Sequence, residues 1–541
     1  MSPNAANVSD VTPNSADHWT REQVWLLGAV AIVGMILGWL GRQPLVTTGG
    51  DDATYILLAQ SLRHAQYRDI FLPGMPAHAQ YPPGFPLLIL AVRTVALGSL
   101  EAVRVTNLLL LALTAMLTAA MTRRIAGNAL GLASAALVML NPLLLHHAGW
   151  ILSDILFVTW TTLALWAAQR ALSQSSKALW LLAGCAAVAA FFTRSAGITV
   201  VLAVVGGLVL QRRWKVAPFV GAAAVALVIA WFTYTHWAAG HTLGWSYQND
   251  LAYVQPRQLL ALLRRMLFNG GNYGRLIGSV VIGIPEIPGT PVDNALWCVL
   301  FVGVAAIGLW RIRWSAPTTV LYALLMTGVL LVYPFVAQRL LVPLIPVLIA
   351  GLLLGVGVLA RRLGAARPDR VVLAIAVVLA SIGVVTGIDA AVQGAVCRAS
   401  AGNACRTEAE RGWLAAAEWS KQGLPPDAVV ASSKPSTFYL ISGRRGIPSR
   451  MLFAPRRLED VLAPRGPVTH VLLSDLWNYE RASLIQALKP ICARLRPVPH
   501  PDNRTLIVQI LPADSTSEEG CQALQRFQDT TATTSRGSAR K

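Results

Sequence analysis

The segments Gly49-Gly50-Asp51-Asp52 and Tyr81-Pro82-Pro83-Gly84 bound the stretch around which this chain is organised. The stretch follows directly on the first long apolar run, residues 24–42, so it places two adjacent carboxylates where lipid meets water. Gly-Gly-Asp-Asp is also a common turn sequence, in which an aspartate can cap a following helix. The rest of the chain is needed to decide between a solvated turn and a functional site.

The composition indicates a polytopic membrane protein. Of 541 residues, 55% are hydrophobic and only 13% are charged, whereas soluble domains contain roughly 25% charged residues. The net charge is +19. Lys and Arg occur mostly in short clusters between apolar runs, which is typical of membrane topology and argues against nucleic-acid binding. Residues 1–23 contain no secretory signal, so the first apolar run is expected to remain as an anchor.

Eleven apolar runs have spanning or near-spanning length, and all are expected to be helical because backbone amides in lipid must be paired within the segment. They lie at roughly 24–42, 105–122, 128–147, 155–171, 179–193, 196–211, 217–237, 293–310, 317–336, 339–359 and 370–391. A twelfth run, 85–99, is short, begins in prolines and carries Arg93. We predict that it lies at the membrane surface, because the basic clusters then share one side, which is cytoplasmic.

This topology predicts four regions. Residues 1–23 form a cytoplasmic tail, and residues 24–393 form a membrane domain whose first outer loop is 43–104. Residues 394–513 form a small α/β domain outside the cytoplasm, and residues 514–541 are rich in Ser and Thr and are expected to be disordered. A second long outer loop is predicted at 238–292, with aromatic and basic residues suited to a substrate or to lipid headgroups.

The α/β domain is inferred from short apolar runs separated by charged residues. Strands are expected at Ala428–Ser432, Val468–Ser474 and Thr505–Ile510, and a helix at Tyr479–Leu488. The four cysteines of this region can pair outside the cytoplasm, and three connectivities are open. These cysteines are Cys397, Cys405, Cys492 and Cys521.

The predicted topology brings several polar side chains to the same outer face of the membrane. Ionisable residues at membrane depth are costly and usually mark a binding site or a pathway. The sequence contains no phosphate-binding loop, dinucleotide fingerprint or common hydrolase motif, so those chemistries lose support. The side chains on the outer face are Asp51, Asp52, Tyr55, Asp154, Arg194 and Arg339.

Together with two proline-containing segments, these residues resemble the GT-C superfamily of integral-membrane glycosyltransferases. The resemblance covers roughly residues 20–360 and points to the branch that contains protein O-mannosyltransferases and lipid A aminoarabinose transferases. The ordered motifs are Asp51-Asp52-x-x-Tyr55, Tyr81-Pro82-Pro83-Gly84-Phe85-Pro86, Ser153-Asp154, Thr193-Arg194 and Arg339-x-x-x-Pro343-x-x-Pro346. The implied fold is an all-α polytopic membrane protein of about eleven transmembrane helices, here followed by the small α/β domain.

The resemblance also implies a reaction. Such enzymes transfer a sugar, with inversion, from a polyprenyl phosphate to a lipid, glycan or protein acceptor at the outer face of the cytoplasmic membrane. An acceptor hydroxyl has a pKa far above neutrality, so a carboxylate must take its proton as it attacks. Asp51 matches the family position for this base. For Asp52 three roles stay open: orienting the acceptor, holding a divalent cation, or capping the helix expected at 53–65.

The departing polyprenyl phosphate requires positive charge where water is scarce. Arginine stays protonated and can bind phosphate oxygens through a two-pronged fork. Arg194 and Arg339 match basic family positions and are expected to hold the donor phosphate, the alternative being that each extends to the lipid headgroups. Asp154 matches a second acid of the family, with helix capping as its alternative. The resemblance thus implies a catalytic set of Asp51, Asp52 and Asp154.

Two tyrosines complete the predicted site. Tyr55 and Tyr81 are expected to line the sugar pocket, although an aromatic one helical turn beyond Asp51 is more often packing. Relatives that transfer aminoarabinose carry a Lys beside the proline pair at 82–83, and its absence here speaks against that donor. The alternative function is a transporter or flippase of lipid-linked sugars, which would also place charges in a cavity; no internal repeat typical of such proteins is present.

Overall fold

The computed structural model describes residues 19–43, 51–213, 217–239, 258–283, 296, 298–453, 461–462, 466–502, 504–512 and 514–538. Gly49 and Gly50, much of the predicted outer loop 238–292 and the first eighteen residues lie outside the described part of the chain. The described residues form a helical membrane domain followed by a small domain built on a five-stranded sheet. This confirms the predicted fold class.

Fifteen helices make up the membrane domain within the described residues. They are α1 Arg21–Leu40, α2 Asp52–Leu62, α3 Gly84–Val95, α4 Glu101–Ala126, α5 Asn128–Met139, α6 Pro142–Ala148, α7 Asp154–Gln174, α8 Lys177–Thr193, α9 Ile198–Leu210, α10 Ala217–Ala239, α11 Leu259–Ile282, α12 Val304–Arg311, α13 Pro317–Val332, α14 Ile345–Arg362 and α15 Pro368–Ala399. Short 3₁₀ segments at Ser195–Gly197 and Gln338–Leu344 precede α9 and α14.

The predicted apolar runs are found as helices of two lengths. In the described part of the chain, six helices are long and apolar enough to cross a membrane, and α5 with α6, which meet at a bend of 53°, make a seventh. The other four runs form apolar helices of 10–17 residues. The eleven runs of spanning or near-spanning length are therefore found as helices, some of them short because the chain leaves the helix at Arg194 and at Tyr333.

Helix α3 occupies the run whose path was uncertain. Its 12 residues span about 18 Å at 1.5 Å per residue, well short of the roughly 30 Å hydrocarbon core. Helices α9 and α12 are about as short, so the surface location of this segment stays a prediction.

Helix α11 corrects the prediction that residues 238–292 form a loop. It contains 24 residues, with Tyr273, Leu276 and Val280 buried on one face and Leu263 and Leu267 exposed on another. Its apolar residues are spread at helical spacing between polar ones, so no continuous apolar run marks it in the sequence.

The C-terminal domain surrounds a mixed sheet. Its helices are α16 Glu408–Gly423, α17 Pro435–Ser442, α18 Asn478–Leu488 and α19 Glu518–Ser538. Its strands are β1 Val429–Ser432, β2 Arg445–Pro448, β3 His470–Ser474, β4 Leu495–Val498 and β5 Thr505–Ile510. The strand order is β2-β1-β3-β5-β4, in which β2, β1 and β3 are parallel and β5 runs antiparallel to both neighbours. The three predicted strands and the predicted helix are all present.

The tail was predicted to be disordered after Asp514, and this is wrong. Helix α19 begins at Glu518, and its Ala523, Leu524 and Phe527 are buried, the last two in the core of the sheet domain. A disulfide joins Cys521 to Cys492, and a second joins Cys397 to Cys405. The apolar residues on one face of α19, together with the disulfide to Cys492, keep this helix packed against the sheet domain although its overall composition is polar.

The two domains share one core. Leu57 of α2 and Phe71 and Leu72 of the first loop pack in the same apolar cluster as Ile447 and Val471 of the sheet. The backbone N–H of Gly446 donates to the carbonyl of Phe71 at 2.9 Å. The first loop is therefore held between the membrane helices and the C-terminal domain.

Candidate active site

Asp51 lies at the N-cap position of α2, yet its side chain does not cap the helix. Instead its Oδ2 accepts a hydrogen bond of 2.8 Å from Nη1 of Arg339, and it also accepts from the Tyr81 hydroxyl. Burial raises the pKa of the carboxyl, but the charges of Arg339 and Lys434 outweigh burial and hold the pKa below its usual value. Asp51 is therefore an ionised carboxylate held by residues distant in sequence, which argues against a simple solvated turn.

Asp154 joins the two arginines. It is the first residue of α7, and its Oδ1 accepts from Nη1 of Arg194 at 2.6 Å while its Oδ2 accepts from Nε of Arg339 at 2.9 Å. The carboxylate is 2% exposed and both partners are charged, so each bond is charge-assisted and strong. Ser153 does not cap the helix through its side chain. Asp154 therefore fixes the positions of both guanidinium groups.

Arg194 occupies a sharp reversal between α8 and α9. Its backbone is extended and the next three residues form a single 3₁₀ turn. The turn passes so close to α8 that a Cβ on Gly197 would lie 2.4 Å from the carbonyl carbon of Ala190. Only glycine fits there, and this close approach presents Arg194 at the tip of the helical pair.

Tyr81 is held by a buried network that the sequence analysis did not identify. The backbone N–H of Tyr81 donates to Nε2 of His78 at 2.8 Å, so Nδ1 carries the proton and donates to Asp69 at 2.7 Å. The rings of His78 and Tyr81 stack with their centroids 5.6 Å apart. Burial raises the pKa of Tyr81 well above its usual value, so its hydroxyl stays protonated and can donate to Asp51.

Tyr55 is buried and packs its ring against Tyr81 and Phe85, with centroid distances of 5.0 and 5.1 Å. Its hydroxyl lies 2.9 Å from the hydroxyl oxygen of Ser153. The Tyr55 ring thus packs against the side chains of the site, and its hydroxyl joins α2 to the start of α7 through a hydrogen bond.

Asp51, Tyr55, Tyr81, Arg194 and Arg339 line one cavity of about 310 Å³. The lining combines these charged and polar groups with apolar ones, because Met326, Val329, Leu330 and Leu340 line the cavity together with Tyr333 and Phe335. Cavities that are mostly apolar with a few convergent polar groups are the usual form of a small-molecule site. This lining suits a ligand with a negatively charged head and an apolar chain.

Asp52 lies outside the lining of this cavity. It is 1% exposed, and its Oδ1 accepts from the N–H of Ala53. Its charge acts on Arg104 and on Lys434. Within the described residues no group of three or more His, Cys, Asp or Glu side chains is arranged to hold a metal ion. The cation-binding role considered for Asp52 therefore gains no support from the described geometry.

Lys434 is the residue near the site that the sequence did not reveal. It precedes α17 in the C-terminal domain, and its ammonium group lies 4.8 Å from the centre of the Trp477 ring. Its charge contributes to the lowered pKa of Asp51. No motif marks Lys434, and its distance from Asp51 in sequence hides the electrostatic interaction.

Replacing Gly84 by Ala should disturb the site through packing alone. A Cβ at this position would lie 2.7 Å from the carbonyl oxygen of Phe192, beside Thr193 and Arg194. Overpacking of this kind lowers the free energy of unfolding by about 1–3 kcal/mol. The control Gly328→Ala adds a methyl group where nothing lies within 4 Å. The measurement is the melting temperature in detergent. An equal fall in Gly84→Ala and Gly328→Ala would contradict the close approach of Gly84 to Phe192.

Comparison with known proteins gives one family match, over part of the chain. Residues 80–237 match the family of dolichyl-phosphate-mannose-protein mannosyltransferases, which is well under half of the chain. No curated protein sequence matches this chain.

Solved structures match over most of the chain. The archaeal oligosaccharyltransferase AglB from Archaeoglobus fulgidus, in complex with an inhibitory peptide and a dolichol-phosphate, has a TM-score of 0.56 and 14% identity over 94% of this chain and 77% of its own. ArnT from Cupriavidus metallidurans in the apo state has a TM-score of 0.54 and 13% identity over 92% and 99%. ArnT bound to undecaprenyl phosphate has a TM-score of 0.50 and 14% identity over 92% and 100%. The predicted resemblance to the GT-C superfamily is confirmed at the level of the fold.

Proposed function

We propose that this chain, which has the fold of the GT-C superfamily of membrane glycosyltransferases, transfers a sugar from a polyprenyl-phosphate donor to an acceptor hydroxyl at the outer face of the cytoplasmic membrane. One observation carries the proposal: a carboxylate and two guanidinium groups line the same cavity, whose other lining residues are mostly apolar. ArnT, which shares the fold, binds undecaprenyl phosphate, and AglB binds a dolichol-phosphate.

In the proposed reaction the acceptor oxygen attacks the anomeric carbon of the sugar while Asp51 takes the hydroxyl proton. A carbon–oxygen bond forms to the acceptor, and the bond between the anomeric carbon and the phosphate oxygen breaks on the opposite side. The electron pair of that bond remains on the polyprenyl phosphate. Attack from the opposite side inverts the anomeric configuration.

Arg194 and Arg339 stabilise the phosphate as its charge increases. Their side chains are 21% and 25% exposed, so each retains a surface toward the cavity while Asp154 holds the other side. Fixed charges of this kind stabilise the transition state strongly, because the charged groups do not have to reorient during the reaction. Asp154 is 2% exposed and bound by both arginines, so we assign it a positioning role rather than the catalytic role expected from the sequence.

The outward orientation is supported by charge and by cysteine chemistry. The ends of α4, α12 and α14 opposite the cavity carry Arg124, Arg311 and Arg361, as the positive-inside rule requires of the cytoplasmic side. The C-terminal domain carries two disulfides, which persist in oxidising compartments outside the cytoplasm.

Replacing Arg194 by Gln should weaken binding of undecaprenyl phosphate by about 10–100-fold, the effect of losing a hydrogen bond to a charged group worth roughly 1.5–3 kcal/mol. The measurement is a titration of the purified full-length protein in detergent micelles. The matched control is Arg311→Gln, at the opposite end of the helices. Equal affinities for the two variants would overturn the assignment of the cavity to the donor lipid.

A second experiment identifies the donor sugar. Lipids extracted from a strain lacking this protein are compared with those of the parent strain by mass spectrometry. We expect a polyprenyl-phosphate sugar to accumulate, because its consumption is blocked. Unchanged levels of every such lipid would count against a transferase.

A further inference from the structure

We propose that Lys434 and Trp477 of the C-terminal domain form a subsite for an anionic group of the acceptor, a phosphate or carboxylate close to the attacking hydroxyl. The inference rests on the proposed function, because it takes Asp51 as the base and the cavity as the donor site. It adds the chemical class of the acceptor, which neither the fold nor the sequence motifs supply.

The topology of the sheet places both residues where ligands usually bind. From β1 the chain turns to β2 on one side, and it later enters β3 on the other side of β1. In open sheets with parallel strands, ligands bind beyond the carboxyl ends of the strands at such a reversal of order. Lys434 follows the carboxyl end of β1, and Trp477 follows the carboxyl end of β3.

Packing directs this edge of the sheet at the candidate active site. The Thr54 hydroxyl donates to the Ser436 hydroxyl oxygen at 2.9 Å, which joins α2 to the first turn of α17. Thr54 lies in the same turn of α2 as Asp51 and Asp52, and Ser436 lies two residues after Lys434. The contact therefore brings the ammonium group and the two carboxylates to one place.

Lys434 acts electrostatically on the base without lining the donor cavity. Arg194 and Arg339 line that cavity with Asp51, whereas Lys434 is not among its lining residues. During transfer the donor phosphate occupies the arginine side, so the acceptor must reach Asp51 from elsewhere. A second cation on that approach selects an acceptor that carries its own negative charge.

The electrostatic state of Lys434 supports this role. Burial lowers the pKa of its ammonium group, and the nearby carboxylates of Asp51, Asp52 and Glu480 offset this only in part. The face of Trp477 holds the ammonium group at 4.8 Å and provides a flat surface suited to a sugar ring. Glu480 is itself buried and hydrogen-bonded to the Ser449 hydroxyl. A desolvated cation is stabilised by an anion placed close to it.

The test uses purified full-length protein saturated with undecaprenyl phosphate, so that the cavity arginines are occupied. Glucose 6-phosphate, glucuronate and neutral glucose are then titrated as probes. We expect wild-type protein to prefer an anionic probe over glucose, and Lys434→Gln to weaken binding of that probe about tenfold. Lys434→Arg should retain most of the affinity, and the exposed Lys421→Gln should behave as wild type. Undecaprenyl phosphate affinity should change less than twofold in all three variants.

The outcomes separate this inference from the proposed function. If wild-type protein shows no preference for an anionic probe, or if Lys434→Gln leaves that preference intact, the subsite is wrong while the donor cavity stands. If Lys434→Gln instead weakens undecaprenyl phosphate binding, Lys434 belongs to the donor site and the inference is again wrong. Failure of Arg194→Gln to weaken undecaprenyl phosphate binding would overturn the proposed function itself.

Discussion

Replacing Asp51 by Asn should lower the rate of sugar transfer by about 10²–10⁴-fold, the usual contribution of a general base. Asparagine has nearly the same shape, and its carbonyl oxygen can still accept the hydrogen bond that Arg339 donates at 2.8 Å. The fold and the donor affinity should therefore survive while proton transfer is lost. The measurement is transfer of labelled sugar in membranes, with melting temperature and undecaprenyl phosphate affinity determined in parallel.

Asp52→Asn is the matched control for this substitution. Asp52 lies outside the cavity lining, so its loss should reduce transfer less than tenfold. The pair of variants also tests the alternative function, a transporter or flippase of lipid-linked sugars. A flippase has no need of a base, so movement of lipid across the membrane should persist in Asp51→Asn. Full transfer activity in this variant would remove Asp51 from the mechanism.

Replacing Arg339 by Lys should lower transfer at least 100-fold and shift the acid limb of its pH profile to higher pH. One ammonium group cannot reproduce the two contacts that Nε and Nη1 make with Asp154 and Asp51. In the wild type, burial raises the pKa of Asp51 but Arg339 and Lys434 bring it below its usual value. Weakening that contact raises the pKa, so Asp51 is protonated, and inactive as a base, at pH values where the wild type works.

Arg194→Lys provides the control for the pH profile. Arg194 contacts Asp154, and its charge is not among the main influences on Asp51. This variant should lose transfer rate, because we propose that Arg194 binds the donor phosphate, but the acid limb should stay near its wild-type position. Identical acid limbs in Arg339→Lys and in wild type would show that Arg339 does not set the ionisation of Asp51.

The sequence predicted the convergence of the cavity residues because helices crossing a membrane fix which ends share a side. Asp51, Arg194 and Arg339 lie at ends of apolar runs, and counting the runs is sufficient to bring them together. Counting cannot show where a side chain points. Asp154 and Asp52 both looked like candidates for chemistry, yet one carboxylate binds two arginines and the other lies outside the cavity.

Two further limits of the sequence have physical causes. Helices α11 and α19 both place apolar residues on one face among polar neighbours. Helix α11 therefore lacks the continuous apolar run by which a membrane span is identified. Helix α19 lacks the apolar composition by which a folded segment is identified. Lys434 reaches the site only because the C-terminal domain docks on the first loop, through Phe71 and Gly446. Contacts between domains leave no periodic pattern in either partner, so the sequence offers no basis for predicting them.

The hydrogen bond between Thr54 and Ser436 joins positions 382 residues apart. Synthesis proceeds from the N-terminus at about 5–20 residues per second, so the first loop is inserted well before the sheet that covers it exists. A nascent or truncated chain therefore carries Asp51 and the arginines without the sheet domain that we propose binds the acceptor. Under this proposal, an unfinished polypeptide has no surface with which to select a partner for the sugar.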